Sequence, residues 1–267
     1  MSFQPVIPAG GNVGWSFLVS SRATQQEAFN KSSQIANNTS YFAENIGSVT
    51  SAEDLVSDRR LLSVALGAFG LDEDINNRFF IQKVLQEGSL EEESFANRLS
   101  DKRYLAMAEA FGFDLSPPRT VLSDFSEPII EQYQNRQFEI SVGDQDENLR
   151  LALGISRDIE ALASRSLNED TSWFSIMGNP PMRRVFEQAL GLPAEIAAID
   201  IDQQLTEFRE RSDRFFGTTD PADFAQPELQ EKLVRSFLLQ AELSASASAY
   251  TSGTVALSLL QSFSPFT

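Results

Sequence analysis

Two glycine-stopped helical segments constrain the fold of this chain more than any other feature. Residues 58–71 align without gaps against residues 179–192, and each segment places apolar side chains at helical spacing before a glycine. That glycine suits the left-handed conformation in which many helices end. A third, looser copy spans residues 99–113 and is one residue shorter. The recurrence predicts a helical protein, whereas the uneven separation of the copies argues against a regular repeat array.

The remaining pattern is also mainly helical. We expect the apolar faces of the two main copies to be buried, namely Leu61, Val64, Ala65, Ala68 and Phe69, and Met182, Val185, Phe186, Ala189 and Leu190. Further helices are predicted at residues 77–87, 90–98, 128–135, 146–162, 203–215 and 227–247, with a weak helical stripe at 23–46. Residues 137–143 alternate polar and apolar like one short strand or an extended linker. The predicted fold class is therefore mainly α, an irregular multi-helix bundle with repeated helix and glycine-stop units and little or no strand.

A chain of 267 residues can bury a sizeable core, and we expect one compact body with two lobes. The proline pair Pro117-Pro118 separates the two repeat-bearing halves, which favours a boundary near residue 120. The predicted organisation is an irregular N-terminal lead-in at residues 1–22, a helical lobe at 23–120, a second helical lobe at 121–247 packed on the first, and a flexible C-terminal tail at 248–267.

Composition excludes several classes of chemistry. The chain has no cysteine and no histidine, which removes disulfides, zinc fingers and every nucleophile or base that depends on those side chains. With 21 basic and 38 acidic residues, the net charge of −17 repels nucleic-acid phosphate and anionic membrane surfaces. The longest near-apolar stretch, residues 61–71, is much shorter than the roughly 20 residues that span a bilayer. We therefore expect a soluble, acidic protein with no nucleic-acid or membrane partner and no transmembrane helix.

Carboxylates cluster at several places, but none has the spacing of a metal or catalytic site. Residues 72–77 and 144–148 begin like calcium loops, yet Asn77 and Leu149 occupy the positions where a glycine is needed. The clusters at 91–93 and 200–202 fit helix N-termini, where the helix dipole stabilises negative charge without further function. We therefore predict no catalytic residue, no cofactor and no metal.

Protein contacts are the binding chemistry that the residues favour. Trp173 and Phe174 precede the second glycine-stopped helix and would form an interaction hot spot if exposed, although burial against the core is the favoured alternative. Leu229, Leu233 and Phe237 recur every four residues along a predicted helix. We also consider that this helix associates with residues 23–46, in the chain or with partners; ordinary docking of both on the protein body is the competing interpretation.

Several segments, in order, resemble one bacterial family of unknown function. They are residues 54–80, 138–143 with 148–153, 173–193 and 199–204, and the similarity extends over roughly residues 10–240. The family is the domain-of-unknown-function family 1217, found in alphaproteobacteria and often encoded among flagellar genes. The resemblance implies no catalytic residues, and it favours a protein that assists or joins a macromolecular assembly.

Three functions follow as hypotheses. The first is a non-enzymatic helical interaction protein linked to the flagellum, either cytoplasmic or exported to the flagellum without a signal peptide. The second is an enzyme that uses carboxylates with a metal, and a pocket of converging carboxylates would favour it. The third is a small-ligand binding module between the lobes, which a large apolar cleft would favour.

Overall fold

The computed structural model describes residues 3–249, and this part of the chain contains 13 α-helices and no strand. The helices are α1 (Gly11–Asn30), α2 (Ser33–Asn45), α3 (Ala52–Ser57), α4 (Arg59–Phe69), α5 (Arg78–Glu87), α6 (Phe95–Arg98), α7 (Arg103–Phe111), α8 (Ser126–Gly143), α9 (Glu147–Ser164), α10 (Glu169–Met177), α11 (Pro180–Ala189), α12 (Ile201–Phe216) and α13 (Pro227–Ala249). Five short 3₁₀ segments connect some of them. The predicted mainly-α fold class is confirmed. None of the helices in residues 3–249 is both long and apolar enough to cross a bilayer.

The chain divides into two compact units. Within the described residues, unit 1 comprises residues 3–7 and 18–145, and unit 2 comprises residues 8–17 and 146–249. The division thus falls at Gln145 rather than near residue 120, because α8 packs against α2 and α4 of unit 1. Most of the predicted flexible tail, residues 250–267, lies outside the described residues, and residues 248–249 belong to α13.

The N-terminal prediction is wrong in one respect. The sequence predicts an irregular segment at residues 1–22, but α1 begins at Gly11 and continues to Asn30. The glycines of this segment lower its intrinsic helix propensity, which is the signal that favoured an irregular chain. Burial of Trp15 and Leu18 overrides that preference, because side chains three residues apart share one helical face.

Helix α4 forms the centre of unit 1. Its N-cap Asp58 accepts hydrogen bonds from the backbone N–H groups of Arg60 and Leu61, so the first helix turn is satisfied locally. The five predicted core residues of this helix are all buried. At Gly67 the ring of Tyr133 from α8 approaches so closely that an added Cβ would lie 2.7 Å from it. A glycine at this point therefore permits close packing of the two helices.

The predicted strand at residues 137–143 is wrong, because these residues complete α8. Phe138 and Val142 are fully buried four residues apart, whereas Ile140, which created the apparent alternation, is 39% exposed. The same buried face begins with Ile129 and Tyr133. Helical spacing therefore explains the burial, and the period of two was coincidental.

The predicted helix at residues 90–98 is shorter than expected, because α6 covers only Phe95–Arg98. The carboxylate of Asp114 accepts hydrogen bonds from the backbone N–H groups of Ser89 and Leu90, at 2.8 and 3.1 Å. These bonds hold residues 89 and 90 in a turn that precedes α6. Ser94 then caps α6 through the N–H of Asn97.

Unit 2 has an aromatic core. Trp173, Phe186, Phe208 and Phe224 are fully buried, and Phe186 lies 5.6 Å from Trp173 and 5.2 Å from Phe224 between ring centroids. Both of these pairs are edge-to-face, the arrangement that ring quadrupoles favour. The predicted buried residues of α11 and Leu190 are confirmed, and α11 packs against α9 and α13.

The predicted glycine stops are also confirmed. Gly70 and Gly191 follow the two equivalent helices with φ of 70° and 60°. At Gly191 an added Cβ would meet no atom closer than 3.9 Å, so only the backbone conformation opposes a side chain there.

We therefore expect Gly191→Ala to lower the free energy of unfolding by about 1–2 kcal/mol, the cost of a left-handed conformation for an L-residue. Gly191→Asn is the matched variant, and it should lose less because asparagine tolerates this conformation. Urea unfolding of both variants measures the difference. Equal losses for alanine and asparagine would contradict a backbone origin.

Candidate interaction surface

Trp173 is a core residue rather than a surface hot spot. It is fully buried in α10, and its indole Nε1 donates a hydrogen bond to the backbone oxygen of Thr219 at 2.8 Å. For Trp173, the structure therefore agrees with burial against the core, which the sequence analysis favours over exposure. Phe174, the next residue, is 39% exposed, so Trp173 belongs to the core and Phe174 lies at the surface.

Helix α13 carries the other predicted interaction residues, and most of them are also core residues. Leu233 and Phe237 are fully buried in unit 2, together with Leu238, and Leu229 is half-buried. The recurrence of these side chains at four-residue steps therefore marks the face of α13 that packs on its own unit. This is the ordinary docking that competed with the association hypothesis.

The exposed face of α13, opposite its buried face, is charged in its first half and apolar in its second half. Its first half exposes charged side chains, including Glu228, Lys232 and Arg235. Its second half exposes Leu239 and Leu243, which are 50% and 54% accessible. Because these leucines are four residues apart, they lie one above the other on one side of the helix. We call Leu239 and Leu243 the leucine stripe.

Sequence reasoning missed the leucine stripe, although the signal was present. The repeat of Leu229, Leu233 and Phe237 continues at Ala241, whereas Leu239 and Leu243 form a second series offset by two residues. Both series have helical spacing, and only the tertiary structure shows which one faces the core.

The beginning of α1 packs beside α13 within unit 2. The Trp15 indole Nε1 donates to Glu231 Oε2 at 3.3 Å, and Asn12 Nδ2 donates to the backbone oxygen of Arg235 at 3.3 Å. The N-terminal residues that join α13 in its unit are thus 8–17, whereas residues 23–46 belong to unit 1. Asn12 and Trp15 precede residues 23–46, for which association with α13 stays a prediction.

The acidic cluster at residues 72–77 serves local structure. Asp74 accepts hydrogen bonds from the Tyr104 hydroxyl and from Asn77 Nδ2, while Asp72 accepts one from Gln137. Burial, followed by the bond to Asp74, raises the pKa of Tyr104 above its usual range. Among residues 3–249, no three potential metal ligands lie close enough together to hold an ion.

An open hollow of about 620 Å³ lies in unit 1, lined by residues that include Asn45, Asp54, Asp58 and Arg59. Its carboxylates are engaged in helix capping. Asp54 pairs with Ser51 in a reciprocal capping box, and its pKa is lowered mainly by the bond with Ser51. Burial alone would raise the pKa of Asp58, yet bonds from the Tyr41 hydroxyl and from backbone N–H groups hold it below the usual value.

The capping carboxylates predict acid sensitivity. A carboxyl group whose pKa is lower in the folded state stabilises the fold above its unfolded pKa of about 3.9, and that contribution is lost as pH falls through the folded pKa. We expect Asp58→Asn, which keeps a capping side chain, to be less stable than the natural protein at pH 7. The difference should shrink at pH 3. Thermal melts at both pH values test this, and a constant difference would contradict it.

Comparison with known proteins places the fold. Protein AGR_C_984 from Agrobacterium tumefaciens, known from a crystal structure, is similar with a TM-score of 0.69 and 25% sequence identity. The similarity covers 90% of this chain and 99% of that protein. No curated protein matches the chain. The model of the family described as "Protein of unknown function (DUF1217)" matches residues 68–228, which is more than half of the sequence and includes parts of both units. The chain therefore belongs to the DUF1217 family.

Proposed function

We propose that the protein is a non-enzymatic helical interaction protein that binds a protein partner through the leucine stripe. The observation that carries this proposal is the exposure of Leu239 and Leu243 on one side of α13. An apolar helix face that lies in a partner's groove is a common mode of recognition. Because each leucine is already about half-buried, covering the rest of it would contribute about 0.7–1.5 kcal/mol before the costs of association.

The charge of the chain indicates the chemistry of the partner. The net charge is −17, and Glu228 and Glu242 are exposed on the helix that carries the stripe. Long-range attraction then favours a partner with basic residues around an apolar groove, and it speeds encounter at low ionic strength. The association rate should accordingly fall as salt is added.

The flagellar part of the proposal has a different basis. The sequence resembles a family that is often encoded among flagellar genes, and we include flagellar assembly or structure in the proposed function for this reason. The protein would act in the cytoplasm or, after export without a signal peptide, in the flagellum.

Site-specific photo-crosslinking in motile cells tests the proposal. A crosslinking amino acid at position 239 or 243 should capture the same partner, which mass spectrometry identifies. Position 228 is the matched control, because it is exposed on the charged half of the same helix face. With the crosslinking amino acid at position 239, adding Leu243→Asp should abolish capture while the helical signal is retained. Equal capture from position 228 would show that the stripe is not the binding surface.

A further inference from the structure

The N-terminal segment, residues 3–7, is held in unit 1 by side chains rather than by secondary structure. It precedes α1 and, within the described chain, forms no backbone–backbone hydrogen bond. Phe3, Pro5 and Ile7 are buried or half-buried, whereas Gln4 and Val6 between them are exposed. Side chains of an extended chain alternate between two sides in this way. The segment therefore lies on unit 1 as an extended peptide would.

Gln25 of α1 binds the backbone of the segment at Val6. Its Oε1 accepts a hydrogen bond from the Val6 N–H at 2.7 Å, and its Nε2 donates one to the Val6 oxygen at 3.2 Å. The same Nε2 donates to Ser21 Oγ at 2.8 Å, so both amide hydrogens are used and the orientation of the amide is fixed. Gln25 is only 8% exposed. Two residues of an antiparallel β-ladder exchange the same pair of backbone bonds, which are independent of the side chain at the bound residue.

Two further contacts select the residues that precede Val6. Gln145 Nε2 donates a hydrogen bond to the backbone oxygen of Pro5 at 2.7 Å. The ring of Phe3 lies 6.0 Å from the buried ring of Phe29 in an edge-to-face arrangement. Proline suits the buried middle position because it has no N–H group that would need a partner there. The contacts therefore fit an aromatic residue, any residue, a proline and then a residue with a free backbone N–H and C=O.

We propose that unit 1 carries a binding site for extended peptides of the form aromatic-x-proline, and that residues 3–7 are its intramolecular occupant. Gln25, Phe29 and Gln145 form this site, and its ligand is a segment of this chemistry from another protein. Such a ligand must displace residues 3–7. The site lies in unit 1, whereas the leucine stripe belongs to unit 2, so the two proposals are independent.

The way in which residues 3–7 are held permits their displacement. Three hydrogen bonds from two glutamine side chains, with the contacts of Phe3 and Pro5, oppose the conformational entropy of five ordered residues. The helices of unit 1 add their own backbone hydrogen bonds and a packed core. Terminal segments with few buried contacts open locally at a lower free energy than such elements. Opening of the segment therefore exposes the site without unfolding unit 1.

A labelled synthetic peptide with the sequence of residues 3–8, Phe-Gln-Pro-Val-Ile-Pro, tests the site on the full-length protein by fluorescence anisotropy. Phe3→Asp in the protein should release its own segment. We expect the peptide to bind this variant about tenfold more tightly than the natural protein, because apparent affinity rises with the fraction of open sites. Gln4→Asp is the matched control, since Gln4 is exposed and the variant introduces the same charge. Its affinity for the peptide should equal that of the natural protein.

Glutamine variants in the Phe3→Asp background test recognition separately from opening. Gln25→Glu keeps the acceptor for the peptide N–H but loses the donor to the peptide oxygen, so binding should weaken about tenfold. Gln145→Ala changes an exposed residue, which makes loss of the fold a poor explanation for any weakening. It should also weaken binding. Circular dichroism of each variant should retain the helical signal.

Three results would overturn the inference. Equal affinity of the Phe3→Asp and Gln4→Asp variants would show that residues 3–7 do not occupy the site. Undiminished binding in both glutamine variants, or equal binding of a peptide with alanine in place of its phenylalanine and first proline, would show that these contacts do not select the ligand. Dimers of the natural protein that Phe3→Asp abolishes would show that the occupant is the segment of a second copy rather than another protein.

Discussion

Replacing Phe186 with alanine is expected to destabilise unit 2 by about 3–5 kcal/mol, because it removes a fully buried ring. The ring of Phe186 lies between Trp173 and Phe224, so its loss leaves a cavity and breaks two edge-to-face contacts. Both tryptophans of the chain, Trp15 and Trp173, belong to unit 2. Urea unfolding followed by tryptophan fluorescence therefore reports this unit.

The control for this prediction is Phe79→Ala, because Phe79 is 82% exposed and its truncation should change the stability by less than about 0.5 kcal/mol. Phe69 holds the equivalent place in unit 1, where its ring lies 6.4 Å from that of Phe111. Phe69→Ala should produce a loss similar to that of Phe186→Ala, measured by circular dichroism. Losses below about 1 kcal/mol for both core variants would mean that the repeated helices do not carry the core.

Gly14→Ala is expected to destabilise the protein by about 1–3 kcal/mol, although helix propensity alone favours alanine by roughly 1 kcal/mol. Gly14 lies within α1, and an added Cβ would lie 1.9 Å from the backbone oxygen of Ala9 and 3.3 Å from a methyl group of Leu149. A backbone oxygen cannot rotate away as a flexible side chain can. Residues 8–17 must therefore shift in unit 2, and hydrogen exchange in this segment should accelerate.

Gly47→Ala is the matched control for Gly14→Ala. Gly47 lies in the short 3₁₀ segment Ile46–Ser48, where an added Cβ would meet nothing within 4 Å. The free energy of unfolding of the Gly47→Ala variant should stay within about 0.5 kcal/mol of that of the natural protein. If Gly14→Ala proved as harmless as Gly47→Ala, the close approach of α1 to Ala9 would not constrain the fold.

The sequence-based predictions that the structure confirms depend on local signals. Pro227 begins α13, the helix predicted at residues 227–247, and Gly191 ends the second repeated helix in a left-handed conformation. Each depends on a few neighbouring residues, because capping bonds and backbone strain act within one helix turn. The family was recognisable for a related reason, since several matching segments occur in order along the chain.

The tertiary structure decided what depends on packing between distant residues. Residues 11–22 are helical because Trp15 and Leu18 are buried, and residues 137–143 are helical because Phe138 and Val142 face a core. Intrinsic propensity is a weak preference that such burial overrides. The boundary at Gln145 likewise follows from the contacts of α8.

The candidate surface shows the same division. The sequence by itself determined that α13 is an amphipathic helix, that the chain is acidic, and that it has no cysteine or histidine chemistry. It could not determine which of two apolar series faces outward, because Leu233 and Phe237 have the same four-residue spacing as Leu239 and Leu243. Burial against the rest of unit 2 decided this, since a helix face is interior or exposed only in relation to what packs upon it.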